Sequence, residues 1–293
     1  MAERLLMILP YVPYPLRRGT YQRVFHLAEQ LGQAFELDLF CLSSEADDAE
    51  QRPVFKRFCR RVHFAAFSHP QWARLFPDRL FDPHPTTVRH WWSEAVLEEL
   101  RAFVAAQDYP VVHFCDLVLW PYVERLFPQH PARVLDRSRV DWLFQTEELR
   151  TLNLSLRERL LRWENLAKIA RLERQVARRV ALEVVCGNDD RTFLEAQLGA
   201  RAASNVFVLP NGFNPAYFSA QKWPRREATR PSALFCGALD YTPNVDGLRW
   251  YFAEIHERIL AAAPDYRLRI VGKSPTAEVQ SWATRPGVDL VGE

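Results

Sequence analysis

Short apolar runs alternate with longer amphipathic segments along this chain, and that alternation limits its fold more than any other feature. The first run, LLMIL (5–9), has the length and composition of a buried strand. The segment 21–31 that follows places Val24, Leu27, Ala28 and Leu31 on one helical face. The same alternation continues to the end of the chain and predicts an α/β protein with a parallel sheet covered by helices. Further strands are predicted at 36–42, 61–67, 109–115, 132–136, 181–186 and 205–209.

The helices predicted after the first one are amphipathic or richly charged. The longest, 154–180, has apolar residues recurring at intervals of three and four, which predicts one or two helices. The helix 189–198 has Asn188 or Asp189 as its expected N-cap. The remaining helices of this half are predicted at 86–107 and 119–127.

A proline-rich, charged segment divides the chain. Residues 210–231, PNGFNPAYFSAQKWPRREATRP, hold four prolines, and the strand–helix pattern restarts after them. We therefore predict a first domain at 1–210, a linker at 211–231 and a second domain at 232–293. The second domain has too few elements for a complete doubly wound fold, so we expect it to be the opening part of a longer domain. Its predicted elements are strands at 232–236, 266–271 and 288–291 and a helix at 244–262.

Charge and cysteine usage restrict the class of protein. The formal charge is only +2, from 38 basic and 36 acidic residues, which argues against a dedicated nucleic-acid binder. No apolar run reaches about 18 residues, and the N-terminus lacks the pattern of a signal peptide. Five cysteines without a CxxC pair predict buried, reduced thiols. We therefore expect a cytoplasmic protein.

Glycine is scarce, with 10 residues in 293, yet several glycines stand where predicted strands end. Ligands of open α/β sheets bind at those ends, and a residue without a side chain lets a phosphate or sugar approach the backbone. Gly19 stands in the loop before the first helix, next to Arg17 and Arg18. Each glycine alone is explained equally well by a tight turn, but their common placement in two successive domains favours ligand binding. The glycines at strand ends are Gly187, Gly212, Gly237 and Gly272.

Three segments resemble the GT-B glycosyltransferases of the retaining family 4. They are ILPYVPYPLRRGTYQRVFHLAEQL near the N-terminus, VLPNGFNPAYF (208–218), and LFCGALDYTPNVDGLRWYFAEI followed by LRIVGKSP. A narrower resemblance is to sugar transferases of bacterial exopolysaccharide clusters. It rests on VVHFCDLVLWPYV, ARVLD, Val140–Asp141 and the arginine- and glutamate-rich segment 154–180.

The resemblance implies two Rossmann-like domains facing one another and a sugar transfer with retention at the anomeric carbon. The donor would be a UDP- or GDP-linked sugar and the acceptor a sugar or lipid-linked hydroxyl. Such transfer needs charge stabilisation on the leaving diphosphate more than a protein nucleophile. No cofactor and no metal are expected, and the sequence shows no HxxxH or HxH spacing.

The resemblance also implies roles for individual residues. Asp136 and Asp141 are the predicted catalytic residues, with Ser138 near the place where many members carry a histidine. Ala238 and Asn244 stand where many members have a basic clamp for the diphosphate, and the family's paired glutamates lie beyond Glu293. If the protein ends at Glu293, the resemblance implies an incomplete donor site and very weak or absent transfer. The other predicted site residues are Arg18, Gly19 and Thr20 at the acceptor cleft, Gly237, Asn244, Asp246, Gly272 and Lys273 at the donor, and Pro210, Asn211 and Gly212 at the interdomain hinge.

Several alternatives stay open at this stage. One alternative to a glycosyltransferase is a non-catalytic GT-B-like module that partners a complete transferase. Another is a sugar-nucleotide epimerase of the same fold. The acidic pairs Asp47–Asp48 and Asp189–Asp190 suit caps or solvated turns better than metal sites. Basic and aromatic residues are concentrated at 52–92, which suits an anionic membrane surface, but equally a helix with packed loop aromatics.

Overall fold

The computed structural model describes residues 3–16, 18–44, 48–69, 82–152, 154–199, 203–212 and 230–292. The chain divides into two compact units, Met1–Phe213 (unit 1) and Asn214–Glu293 (unit 2). The division lies inside the predicted linker 211–231.

Unit 1 contains a parallel sheet, and this confirms the predicted α/β architecture. Among the described residues it has seven strands in the order β3-β2-β1-β4-β5-β6-β7. Every pairing is parallel, including the central one, in which Leu5 lies opposite Val111 and Ile8 opposite Phe114. The strands are β1 (Arg4–Leu9), β2 (Glu36–Ser43), β3 (Arg61–Ala66), β4 (Val111–Cys115), β5 (Arg133–Asp136), β6 (Leu182–Val185) and β7 (Val206–Val208).

The helices of unit 1 follow the predicted order with three differences. The predicted helix 86–107 is wrong as one element, because it breaks before Ser93, whose hydroxyl accepts a hydrogen bond from Val96 N–H and starts a new helix. A helix at Asp141–Thr151 was not predicted, and among its described residues only Trp142 is buried. The helix at Asn188 has Gly187 at its N-cap without a side-chain cap, so the predicted Asn188 or Asp189 cap is wrong. The helices are α1 (Gly19–Ala34), α2 (Arg52–Phe55), α3 (Thr86–Arg89), α4 (Glu94–Val104), α5 (Trp120–Leu126), α6 (Asp141–Thr151), α7 (Leu156–Ala177) and α8 (Asn188–Leu198), with short 3-10 turns at Asp48–Gln51 and Leu117–Leu119.

Strand β1 shows why the sheet is covered on both faces. Successive side chains of a strand point to opposite faces. Leu5, Met7 and Leu9 pack with α1, whereas Leu6 and Ile8 pack with α4 and α5 on the other side. All five are buried, as expected for a parallel sheet between two layers of helices.

Unit 2 repeats the architecture on a smaller scale. Its described strands form a parallel sheet in the order β10-β9-β8, with a core that includes Leu239, Phe252 and Ile270. The predicted helix 244–262 is wrong as one element, because the backbone leaves helical geometry at Ile255. One face of the sheet is exposed, with Leu234 at 66% and Val291 at 43%. The elements are β8 (Ser232–Cys236), α9 (Thr242–Glu254), α10 (His256–Ala262), β9 (Arg267–Val271), α11 (Ala277–Trp282) and β10 (Val288–Val291).

The five cysteines are free thiols. Cys41, Cys59 and Cys115 are buried, as predicted, but Cys236 is exposed and Cys186 is half-buried. The prediction was wrong for Cys236 because β8 lies at the edge of its sheet with its outward-facing side chains exposed. Within the described ranges, the helices are too short or too polar to cross a bilayer.

Candidate functional site

The sheet of unit 1 reverses its winding between β1 and β4. From β1 the chain continues to β2 and β3 on one side, and from β4 to β7 on the other. Ligands of open α/β sheets bind beyond the carboxyl ends of the strands at such a switch point. The loop after β1, the start of α1 and the residues after β4 and β5 all meet this edge.

The start of α1 presents backbone without covering side chains. Gly19 is the first residue of the helix, and a Cβ added there would meet nothing within 4 Å. Arg18 at the N-cap makes no side-chain cap, and its guanidinium lies 5.3 Å from the ring centroid of Tyr21. Thr20 is half-buried beside Gly19. The positive end of a helix dipole and its free N–H groups favour an anion, so this end of α1 suits a phosphate.

Arg23, one turn further along α1, connects the helix to the ends of two strands, β5 and β7. Its guanidinium donates to Asp136 Oδ1 at 2.9 Å, to Leu209 O at 2.8 Å and to Asn211 Oδ1 at 3.1 Å. Arg23 and Asp136 are both buried at their side chains. Asp136 therefore holds Arg23 in this structure, and its predicted catalytic role stays a prediction. Asn211 of the predicted hinge joins the same network, whereas Pro210 and Gly212 are exposed beside it.

His113, Cys115 and Asp136 face the same side of the sheet. Cys115 lies opposite Asp136 in the register of β4 and β5, and His113 is two residues before Cys115. Their ligand atoms lie within 4.8 Å of one another, a grouping with metal-ligand chemistry that sequence spacing did not predict. All three are buried, which lowers the pKa of His113 and raises that of Cys115. The guanidinium of Arg23 donates to Asp136 Oδ1, whereas Asp136 Oδ2 has no hydrogen-bond partner among the described residues.

Asp116, immediately after β4, combines unusual backbone geometry with an unusual pKa. Its φ is +69°, a left-handed conformation that costs free energy for a residue with a side chain. Its N–H donates to Asp136 O at 2.8 Å, and its carboxylate accepts from the backbone N–H of Ser138. Burial, together with the nearby carboxylates of Asp141 and Asp136, raises the pKa of Asp116 to about 7, against the opposing effect of the Ser138 N–H. Strain and a perturbed pKa at a switch point mark Asp116 as a candidate functional residue.

Asp141, the other predicted catalytic residue, is the first residue of α6. Its carboxylate accepts from Arg139 Nε at 3.0 Å and is mostly buried. The structure thus brings Asp136 and Asp141 together around Asp116. Asp116 was not among the predicted site residues, although an aspartate directly after the predicted strand VVHFC is a signal that the sequence carries.

The predicted donor residues of unit 2 meet where β8 and β9 end. A Cβ at Gly272 would lie 1.8 Å from Gly237 O, and one at Gly237 would lie 2.6 Å from Asn244 Nδ2. Asn244 Nδ2 donates to Ala238 O at 2.9 Å, so this amide closes the loop between β8 and α9. Gly272 is needed for packing because its neighbour is backbone, whereas the neighbour of Gly237 is the end of the Asn244 side chain. The predicted contact of both glycines with a donor remains untested.

The charged donor residues differ in their surroundings. Asp246 is exposed and bonded to Arg249 at 2.7 Å, which makes it a surface ion pair. Lys273 is half-buried, and no hydrogen bond or ion pair within the described ranges engages its ammonium group. Of the two, only Lys273 has a positive charge that could attract a phosphate, since the carboxylate of Asp246 is negative.

The substitution Gly272→Ala tests the close contact at these strand ends. We expect it to lower the free energy of unfolding of unit 2 by about 1–3 kcal/mol, because the new Cβ would push against the backbone of Gly237. Gly247→Ala is the matched control, since its Cβ would meet nothing within 4 Å inside α9 and alanine favours a helix. Urea unfolding followed by the fluorescence of the protein measures both. Equal stability of the two variants would contradict the packing role of Gly272.

In the described part of the basic and aromatic segment 52–92, the aromatic side chains are packed and not exposed. Phe55 is buried, Trp91 stacks on Phe67 at 5.5 Å and Trp92 contacts Tyr122 at 4.8 Å. Arg60 binds the buried Asp38. These residues therefore fit the alternative of a helix with packed loop aromatics. Trp72, Phe76 and Phe81 lie outside the described residues, as do Arg17 and Asp47.

Comparison with known proteins identifies the fold. No protein-family model matches the sequence, and no curated protein matches it. Among solved structures, TarM aligns over 100% of this chain and 77% of its own, with a TM-score of 0.62 and 9% identity. The catalytic domain of starch synthase IV from Arabidopsis thaliana, bound to ADP and acarbose, aligns over 100% and 74%, with a TM-score of 0.56 and 11% identity. The chain has a GT-B type fold.

A third solved structure of similar fold is of a protein described as a different kind of enzyme. A putative UDP-N-acetylglucosamine 2-epimerase from Listeria monocytogenes aligns over 100% of this chain and 70% of its own, with a TM-score of 0.52 and 11% identity. The GT-B type fold therefore does not decide the reaction by itself.

Proposed function

We propose that this GT-B type protein is a glycosyltransferase that moves a sugar from a nucleotide-sugar to an acceptor hydroxyl. The observation that carries the proposal is the switch point of unit 1, where the open start of α1 at Gly19 accompanies the strained, protonatable Asp116. The starch synthase domain of similar fold is bound to ADP, which supports a nucleoside diphosphate as the leaving group.

In the proposed reaction the bond between the anomeric carbon and the diphosphate oxygen breaks, and a bond from the acceptor oxygen to that carbon forms. The configuration is retained, as the family resemblance implies. Asp116 takes the proton of the acceptor hydroxyl, which a carboxylate with a pKa of about 7 can do near neutral pH. The diphosphate leaves with its negative charge.

We assign donor binding to unit 2, at the strand ends of Gly237 and Gly272, with Asn244 closing the loop. The unpaired ammonium of Lys273 complements the diphosphate charge. The donor is a UDP- or GDP-linked sugar and the acceptor a sugar or lipid-linked hydroxyl of bacterial surface polysaccharide synthesis in the cytoplasm. We propose transfer without a metal, as the family resemblance implies.

A nucleotide-release assay tests the proposal with UDP-glucose, UDP-galactose, UDP-N-acetylglucosamine and GDP-mannose as donors, with and without EDTA. We expect acceptor-dependent release with one donor class, unchanged by EDTA. A tenfold loss in EDTA would contradict the metal-free reaction.

Two other outcomes would replace the proposal. Binding of a donor without turnover would favour the non-catalytic module, which Ala238 and Asn244 at the expected clamp positions support. Conversion of UDP-N-acetylglucosamine to its C2 epimer, without nucleotide release, would favour the epimerase reaction suggested by the Listeria structure.

A further inference from the structure

Helix α7 carries an apolar stripe that nothing in the described chain covers. Leu156, Leu160 and Trp163 are 75%, 59% and 66% exposed. They follow one another at intervals of four and three residues, so they share one face of the helix. Ala167 continues the same line and is also exposed. Large apolar side chains grouped in this way on a surface mark an interaction site.

Arginines flank the stripe on both sides. With about 100° of rotation per residue, Arg157 and Arg159 fall on opposite sides of Leu156 and Leu160. Arg171 lies two turns beyond Trp163, near the line of the stripe. All three are exposed, and no carboxylate within the described ranges is paired with them.

The acidic residues on this half of α7 are already engaged. Glu158 closes the capping box at the helix start with Ser155, and it points away from the stripe. Glu164 forms an ion pair with Lys168. The surface around the stripe is therefore positive. The segment 155–180 as a whole holds eight basic and three acidic side chains.

We propose that this face of α7 docks on an anionic lipid surface. An amphipathic helix with leucine and tryptophan on its apolar face and arginines beside them lies in a bilayer interface, with its rings at the level of the headgroups. The three unpaired arginines favour anionic headgroups, each by about fivefold in binding. The lipid surface fits better than a second copy of the chain, because two copies of this helix would bring like charges together.

Vesicle co-sedimentation tests this surface without any need for enzymatic activity, so its outcome is independent of the proposed function. The vesicles are pure phosphatidylcholine or phosphatidylcholine with 30% phosphatidylserine. We expect the wild-type protein to bind the anionic vesicles at least tenfold better. The double variant Leu160→Gln/Trp163→Gln should bind the anionic vesicles at least tenfold more weakly than the wild-type protein. The triple variant Arg157→Gln/Arg159→Gln/Arg171→Gln should bind them roughly a hundredfold more weakly.

Trp250→Gln is the matched control, since Trp250 is 61% exposed in unit 2 and should not affect binding. Thermal unfolding by circular dichroism checks that the exposed substitutions leave the fold intact. Unchanged binding by either α7 variant, or equal binding to both kinds of vesicle, would overturn the proposal. So would a wild-type dimer in analytical ultracentrifugation that the Leu160→Gln/Trp163→Gln variant loses, because the stripe would then bind a second copy.

Discussion

Replacing Asp116 by asparagine is expected to lower kcat for sugar transfer by about 10²–10⁴-fold. This is the usual contribution of a group that accepts a proton in the transition state. Asparagine keeps the size of the side chain and can still accept the hydrogen bond from Ser138 N–H, so the backbone turn after β4 should survive. KM for the donor should change little, because we assign donor binding to unit 2. The measurement is steady-state nucleotide release with the donor that the wild-type protein uses.

The pH profile separates a proton acceptor from a merely structural carboxylate. With a pKa of about 7, Asp116 is deprotonated above that pH and protonated below it. Wild-type kcat should therefore fall as the pH drops below about 7, and the residual activity of Asp116→Asn should lack that limb.

The pH dependence of stability gives a second test of Asp116 that does not depend on activity. The pKa of Asp116 is raised from its ordinary value of 3.8 to about 7 in the folded protein, so between these pH values the folded state binds more protons than the unfolded state. The contribution of this group to stability then falls as the pH rises through that window. Asp116→Asn should therefore be more stable than the wild-type protein above pH 7 while losing activity.

Glu147→Gln is the control, because it removes an exposed carboxylate paired with Arg150 on α6. It should change neither kcat nor stability appreciably. A kcat of Asp116→Asn close to that of the wild-type protein would exclude the proton-accepting role. Reduced stability of Asp116→Asn at pH 8 would show instead that the ionised carboxylate holds the turn.

The strands of unit 1 were predictable because burial on both faces makes them apolar at successive positions. A strand covered on both faces is apolar at successive positions, as at Leu5 to Leu9, and needs no knowledge of its partners. Helix α6 was missed because only Trp142 among its described residues is buried, so it lacks the apolar stripe on which periodicity depends. The break at Ile255 was missed because a local change of backbone angle leaves no gap in an amphipathic pattern.

The sequence predicts where the candidate site lies but not which of its side chains are hydrogen-bonded to one another. Glycines at strand ends and the loop before Gly19 predict a site at this edge of the sheet from the sequence alone. Which carboxylate is neutralised there depends on Arg23, which is 113 residues from Asp136 along the chain. Residue type and spacing cannot give that pairing. They also cannot show that, of the three aspartates of the candidate site, Asp136 and Asp141 have a guanidinium partner within hydrogen-bonding distance and Asp116 has none among the described residues.

Replacing Arg137 by methionine is expected to lower the free energy of unfolding of unit 1 by about 3–5 kcal/mol. Arg137 follows Asp136 but points to the other side of the site, where its guanidinium binds two buried carboxylates. It donates to Glu173 Oε1 at 2.8 Å and, through Nε, to Glu183 Oε1 at 2.8 Å. All three side chains are buried. Methionine would fill much of the volume but would leave both glutamates without a counter-charge.

Burial already raises the pKa of Glu173 against the opposing effect of Arg137, so removal of the guanidinium should push Glu173 towards protonation. The stability lost in Arg137→Met should consequently be smaller at pH 5 than at pH 8. Urea unfolding at the two pH values measures this difference.

A triple variant distinguishes the missing charge from the changed shape. Arg137→Met/Glu173→Gln/Glu183→Gln removes both carboxylates together with the guanidinium, and the glutamine at 173 can still accept the hydrogen bond from Trp142 N–H. It should recover a large part of the stability that Arg137→Met loses, because no uncompensated charge remains buried. Arg150→Met, which breaks an exposed pair with Glu147, should cost less than about 1 kcal/mol. If the triple variant were as unstable as Arg137→Met, the loss would come from packing and hydrogen bonds, and the ion triad would not be the reason that Arg137 is needed.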